Sequence, residues 1–303
     1  MQPVNVAYQQ GCQMPLEEWV WLNRCGIFED PELRRYVAAF PPRDLMQNVS
    51  GLTSEQDFAS HGVDLFVAIS KVSPKPLTEY RHILDFGCGC GRLARMFKGH
   101  PHMVSGCDID RRHVDFINGN LDFICASLSH VHPPLPYEDN MFDGLISVSV
   151  FTHLNEGSQV EFLSELHRIS APGAYLFVTV HGERALQRAH AEERIWEMIS
   201  VDQLGFDRAL RAFGEGKHGF ILQHGHLTRT PSKDSWLSRA KRTLFGSGKS
   251  VEPFEYGITF IPESYIRSHW ARWFEITAYL HGAIHDFQDI VVMTPVKSAP
   301  FAL

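Results

Sequence analysis

The sequence lacks most of the features that direct a chain to a membrane, out of the cell or onto nucleic acid. No stretch is long and apolar enough to span a bilayer, so no transmembrane segment is expected. Residues 1–23 hold no cationic region followed by an apolar run, which predicts no secretory leader. The six cysteines, Cys12, Cys25, Cys88, Cys90, Cys107 and Cys125, do not form the spaced framework of a small disulfide scaffold. A reduced, cytoplasmic setting is the expectation. Cys88 and Cys90 form a C-x-C pair, but no second pair stands at ligand spacing, so the zinc reading is weak. Excess positive charge is also missing: the formal net charge is -7, which excludes a protein whose whole surface tracks nucleic acid. There is no internal repeat and no long low-complexity tract.

What remains is an ordinary soluble composition, 44% hydrophobic and 21% charged over 303 residues, enough for a sizeable core. Residues 1–80 read as helices and turns. A helix over 31–40 is broken by Pro41-Pro42. Ser54 caps a second helix, with Phe58, Leu65, Ile69 and Val72 on one face, that ends before Pro74 and Pro76. Beyond residue 80 short apolar strands alternate with helices. Strands are expected at 82–86, 103–107, 121–125, 142–148 and 174–180, a helix at 92–98, and an amphipathic helix at 155–170 with Val160, Leu163, Leu166 or His167, and Ser170 along one side. That order predicts a parallel sheet with helices on both faces. After His181-Gly182 the pattern lapses until a helix at 262–272 and strands at 274–280 and 289–294. The last two are joined too closely for a helical crossover and should pair as an antiparallel hairpin.

The stretch that carries chemistry is Asp85-Phe86-Gly87-Cys88-Gly89-Cys90-Gly91. Alternate glycines after a buried strand allow a tight turn and a close ligand approach. In open parallel sheets ligands bind outside the carboxyl ends of the strands. Asp108 falls at the end of the second strand, where a carboxylate can accept both hydrogen bonds of a ribose diol. The competing reading is a nicotinamide-binding loop, G-x-G-x-x-G. Gly87 and Gly89 fit it, but Arg92 stands at its third glycine and Gly91 comes one residue early. An acid at Asp85 suits a positively charged amino group and would repel a pyrophosphate.

The run Ile83 to Gly91 resembles the first motif of the class I S-adenosylmethionine-dependent methyltransferases, and Gly106-Cys107-Asp108-Ile109-Asp110 resembles their second. Pro134-Leu135-Pro136-Tyr137 with Phe142-Asp143, Ser149-Val150-Phe151-Thr152-His153-Leu154, and Leu166 through Gly173 are similar to the segments around their fourth and fifth strands. The likeness runs over 81–182 and again over 262–294. Ala174 departs from it, standing where the family has a second glycine. The resemblance implies an α/β, Rossmann-like, doubly wound sheet of seven strands, mostly parallel with a C-terminal antiparallel hairpin. It implies S-adenosyl-L-methionine as cofactor. Backbone at Gly87, Cys88 and Gly89, with Gly91 closing the loop, would pass beside its methionine part. Asp85 would lie near its amino group, Asp108 on its ribose hydroxyls, Ile109 against its adenine and Ala126 or Ser127 at the adenine edge. The backbone around Ser147 would meet its methionine end.

Four regions are expected: an N-terminal helical cap over 1–80, the cofactor-binding core over 81–182, an insertion over 183–257 serving as a substrate lid, and completion of the sheet over 258–303. A hydroxyl acceptor needs its proton removed. His153 and His181, both following strand ends, are the candidate bases, ahead of Glu183; each could equally be structural. His224-Gly225-His226 has no acidic or cysteine partner at ligand spacing, so no metal is expected. Trp236, Leu237, Ala240 and Leu244 recur at helical spacing among Arg239, Lys241, Arg242 and Lys249. This reads as a solvated helix over the core or, in the sharper version, an amphipathic segment over 229–249 in peripheral contact with a membrane. The favoured acceptor is a small molecule, a sugar or glycoconjugate hydroxyl. A nitrogen or macromolecular acceptor, and a non-catalytic cofactor-binding scaffold, are the alternatives.

Overall fold

A computed structural model describes residues 15–223 and 255–297. The segments 1–14 and 224–254, which hold Cys12, His224-Gly225-His226 and the amphipathic stretch, lie outside the described residues. Strands β1 (Ile83–Phe86), β2 (Val104–Asp108), β3 (Ile124–Leu128), β4 (Phe142–Ser147) and β5 (Ser170–Val180) are mutually parallel. They join β8 (Phe274–Ile284) and β9 (Gln288–Pro295) in one seven-stranded sheet ordered β3-β2-β1-β4-β5-β9-β8. β9 runs antiparallel to both β5 and β8, the expected hairpin. The chain therefore has the Rossmann-like, mostly parallel sheet that the sequence indicates.

Parallel strands covered on both faces read as continuous apolar runs. β1, Ile-Leu-Asp-Phe, is buried at every position, and Asp85 is its one polar residue. One face packs on α1 (Leu16–Trp21), α4 (Glu55–Val72) and α5 (Arg111–Asn120), burying Trp19, Val63, Phe66, Ile69, Phe97 and Ile117. The other packs on α6 (Glu156–Ile169) and the helix Glu263–His269, burying Phe162, Leu163, Leu166, Ile266 and Trp270. Ser54 caps α4 by accepting from Asp57 N at 3.0 Å. No helix among the described residues is long and apolar enough to cross a membrane.

Several elements differ from the sequence reading, each for a local reason. Residues 31–36 form only a 3-10 turn, because the chain ahead of Pro41-Pro42 is held extended from Val37. The helix expected over 92–98 is a four-residue 3-10 turn, Ala94–Phe97; Gly99 (φ +88°) and Pro101 end it. The third strand starts three residues late: Leu121 N closes α5 on Ile117 O, and pairing begins at Ile124. Pro172-Gly173 is an irregularity inside β5 rather than a turn before it, and the β4–β5 register shifts there. On α6 the buried side runs through Gln159, Phe162, Leu163, Leu166 and Ile169, while Val160 is exposed.

Residues beyond β5 form α7 (Glu183–Ala191), α8 (Glu193–Ile199), α9 (Gln203–Gly214) and the antiparallel pair β6 (Gly219–Leu222) and β7 (Gly257–Phe260). They enclose their own apolar cluster of Leu186, Ile199, Phe206, Ile221 and Phe260, joined by Phe287 from the β8–β9 turn. β7 is stitched to the core. Gly257 N and Thr259 N donate to the carbonyls of His153 and Thr152, and Ile261 N donates to that of His181.

Candidate functional site

The parallel strands end on one edge, at Phe86, Asp108, Leu128, Ser147 and Val180. Val180 pairs with Asp289, so the β8–β9 turn at 285–287 lies on the same edge. After Phe86 the chain reverses sharply: Gly87 N and Cys88 N both donate to Cys107 O, at 2.9 and 3.0 Å. Gly87 (φ +76°), Gly89 (φ +54°) and Gly91 (φ +88°) are left-handed, a region that side chains rarely enter. The loop is also closely covered. A Cβ on Gly87 would sit 2.3 Å from Val150 Cγ2, and one on Gly89 2.8 Å from Val49 of α3 (Arg43–Ser50). Cys88 is buried, and burial first, then the charges of Asp85 and Asp108, hold its thiol far above the usual range. Only its backbone can serve a ligand.

Two carboxylates flank the loop. Asp108 accepts from Gly89 N at 2.8 Å through Oδ2 and from Asp110 N at 2.8 Å through Oδ1; His113 Nδ1 lies 3.3 Å from Oδ1. Asp108 therefore ties the glycine loop to β2, and its oxygens keep lone pairs for further donors. Asp85 is 2% exposed, and Oδ2 has no hydrogen-bond partner among the described residues. Burial pushes its carboxyl up to about 7, with Arg92 opposing and Asp108 adding to the rise. A buried, under-bonded acid is the feature that an ammonium group would satisfy. Together with the left-handed backbone cradle and Asp108, it fits the amino acid and ribose parts of S-adenosylmethionine.

The remaining expected residues are placed as follows. Ile109 is 42% exposed beside the end of β2, open to an aromatic ligand face. Ala126 and Ser127 lie within β3, and the Ala126 backbone is engaged on both sides by Asn118, at 2.8 and 2.9 Å. The strand end falls at Leu128 and Ser129, whose N–H donates to Asp108 O. Ser147 closes β4 with its hydroxyl buried and unpartnered among the described residues. His153 and His181 come together, because β7 threads between their turns. The Gly257 carbonyl lies 2.8 Å from His153 Nδ1, so Nδ1 carries the proton in the neutral ring and Nε2 carries the lone pair. The ring stacks on Tyr256 at 4.6 Å. His181 is buried between Phe260 and Phe287, and Nδ1 has no partner among the described residues. Burial first, then proximity to His153, pushes it down to about 3, so it stays neutral. Glu183 opens α7 and accepts from Gln187 at its exposed surface. Among the described residues no group of three acidic, histidine or cysteine side chains is arranged to hold a metal.

Sequence reasoning missed the post-β4 residue Ser149. It is left-handed (φ 58°), donates its N–H to Thr179 Oγ1 at 2.8 Å, and pairs through its hydroxyl with Gln288 at 3.0 Å. Ser149 lies in a motif visible in the sequence. Gln288 stands in the hairpin with no signal of its own.

Comparison with known proteins agrees with this architecture. Residues 84–178 match the family described as a methyltransferase domain. The 24-methylenesterol C-methyltransferase 2 of Arabidopsis thaliana is 26% identical over 187 residues, 58% of this chain and 50% of that protein. A probable tRNA methyltransferase 9B of Homo sapiens is 25% identical over 174 residues, 55% of this chain and 36% of that one. The chain thus spans about half or less of the length of these curated relatives. The crystal structure of the PH0226 protein from Pyrococcus horikoshii OT3 superposes with a TM-score of 0.54 at 13% identity, covering 85% of this chain and all of that one, a likeness of fold. With the strand order, the left-handed glycine loop and the two flanking carboxylates, the match over 84–178 places the core of this chain among the class I S-adenosylmethionine-dependent methyltransferases.

Proposed function

We propose that the chain transfers the methyl group of S-adenosylmethionine to a hydroxyl of a small-molecule acceptor, with His153 as the general base. The observation that carries the reading is the fixed tautomer of His153. Its Nδ1–H is held on the Gly257 carbonyl, which puts the lone pair of the neutral ring on Nε2, in the turn that follows β4. The cofactor supplies a methyl group already activated on a sulfonium. What the chain adds is alignment and water exclusion, which account for much of the rate in such a reaction. In this reading Asp85 holds the ammonium group, Asp108 the ribose, Ile109 the adenine face, and the backbone of the glycine loop the amino acid. Phe260 and Phe287 keep the space around His181 dry, and His153 Nε2 takes the acceptor's proton. His181, its basicity removed by burial, serves better as a neutral hydrogen-bond acceptor than as a base.

The acceptor class rests on resemblance: a sugar or glycoconjugate hydroxyl is favoured. The sterol methyltransferase likeness raises an apolar acceptor as the specific competitor. A macromolecular acceptor such as the relative's tRNA fits less well with a net charge of -7. The segments before β1 and after β5 are read as cap and substrate lid, and the cytoplasm as the working compartment. Turnover is measured by release of S-adenosylhomocysteine against a panel of sugar, sterol and phenolic alcohols. His153→Ala is expected to lower kcat about a hundredfold on the true acceptor, with cofactor affinity unchanged. Full turnover in His153→Ala on the true acceptor would exclude the base mechanism.

A further inference from the structure

Outside the residues assigned above, four side chains form one unbroken line. Arg92, one residue past the glycine loop, donates from Nη1 to His61 Nδ1 at 3.0 Å. His61 Nε2 lies 3.0 Å from His285 Nδ1, with the rings stacked at 4.4 Å. His285 Nε2 lies 2.9 Å from Asp64 Oδ2, whose other oxygen meets Arg24 at 2.5 Å. The line spans the glycine loop, α4 and the β8–β9 turn, three elements far apart in sequence.

The two charged ends dictate every proton between them. A guanidinium can only donate, so His61 Nδ1 must present a lone pair and its proton must lie on Nε2. The carboxylate can only accept, so His285 Nε2 must carry a proton. His285 Nδ1 then takes the proton of His61. Both rings are neutral, both are Nε2–H tautomers, and all three bonds run in one direction. A second proton on either ring would set N–H against N–H or N–H against guanidinium.

We propose that the Arg92–His61–His285–Asp64 line is a latch that fastens α4 to the β8–β9 turn and holds Arg92 at the end of the glycine loop, making His61 and His285 positioning residues for cofactor binding. The packing agrees. α4 presses on Arg92 so closely that a Cβ at Gly62 would lie 2.3 Å from the Arg92 carbonyl oxygen. Arg92 is 8% exposed, and its charge favours the ionised form of Asp85. His61 is pushed down to about 3, by burial first and then by Arg92 and His285, so it remains the neutral relay the line needs. The other charged groups around the latch hold the turn rather than the rings. Arg188 donates to the carbonyls of His285 and Asp286 at 2.9 and 3.0 Å, and Arg184 pairs with the Asp286 carboxylate. Cys90, the remaining titratable neighbour of Arg92, is held as a thiol, burial pushing it up to about 12.

The role rests on the cofactor reading and is tested by two measurements on the full chain. Calorimetric titration with S-adenosylmethionine between pH 6 and 8.5 compares wild type with His61→Gln, which can still accept and donate, and with His61→Phe, which can do neither. The expected result is an affinity about tenfold lower for His61→Phe, with the pH midpoint of binding moved upward because Asp85 loses the support of Arg92. His61→Gln should restore both. Equal affinity and an equal midpoint in all three proteins would overturn the proposal. Histidine side-chain nitrogen NMR on the unliganded protein at pH 7.5 should find His61 and His285 as neutral Nε2–H tautomers. An Nδ1–H tautomer or a charged ring at either position would refute the latch even if the wild type bound no cofactor, an outcome that would instead strike the cofactor reading.

Discussion

Replacing Asp85 with asparagine is expected to stabilise the protein and to remove its grip on the cofactor. The two effects share one cause. Asp85 is buried on β1 with an oxygen that has no partner among the described residues, and its carboxyl is pushed up to about 7. In the unfolded chain it titrates near the ordinary value of 3.8. Between those values the folded form binds the extra proton, so stability falls as pH rises from about 4 to about 7, and the full cost is present above 7. Asparagine bears no such cost. Three pH units correspond to at most about 4 kcal/mol, so Asp85→Asn should melt several degrees higher than wild type at pH 8 and at nearly the same temperature at pH 4. Binding reverses the sign, because a cofactor ammonium repays the buried charge and an amide cannot. Affinity for S-adenosylmethionine should fall about a hundredfold at pH 8. Equal melting temperatures at pH 8, with cofactor affinity retained, would show that Asp85 is an ordinary strand residue.

Gly182→Ala should be the most destructive small substitution on the active edge. Gly182 follows His181 where β5 leaves the sheet, and a Cβ there would stand 1.8 Å from Asp289 Oδ2. That carboxylate cannot step aside. Asp289 is fully buried, accepts from Gly282 N at 2.7 Å and from Tyr279 Oη at 2.8 Å, and has His281 Nδ1 at 3.6 Å. A methyl group must break part of this network or push β5 from β9, at a cost of about 3 kcal/mol or more. Chemical denaturation should register that loss, while alanine at the neighbouring exposed Glu183 should change stability by less than about 0.5 kcal/mol. A Gly182→Ala protein as stable as wild type would mean that the Asp289 network yields readily.

What was legible in the sequence was local. The buried strand, the alternating glycines and Asp108 lie within 26 positions of one another (83 to 108); their order indicated the sheet and the edge, and the family resemblance they carry implied the cofactor. The hairpin followed from a short connection between two apolar runs. The errors arose where a local pattern met a tertiary constraint. Residues 92–98 have helical composition, but Gly99 and the packing around Arg95, whose guanidinium bonds Ala38 O at 2.7 Å, leave room only for a tight turn. Val160 fits a helical period, yet the sheet lies on the side of Phe162 and Leu166. What the sequence hid is long-range. Ser149 meets Gln288 across 139 residues, and His61 meets His285 across 224. Neither pairing leaves a trace in composition or spacing. The part played by β7 was hidden for the same reason: a strand that returns from an insertion to bond His153 and His181 is defined by where it docks.

The central claim is that the glycine loop and its two carboxylates form a site for S-adenosylmethionine. Calorimetric titration of the cofactor into wild type and into Asp108→Ala, each first shown by its melting curve to be folded, tests it most directly. The account predicts one site per chain of micromolar affinity in the wild type and no measurable binding in the variant, which loses both the ribose contact and the tether from Gly89 to β2. A folded wild type that binds no cofactor, or an Asp108→Ala protein that binds it equally well, would contradict the account.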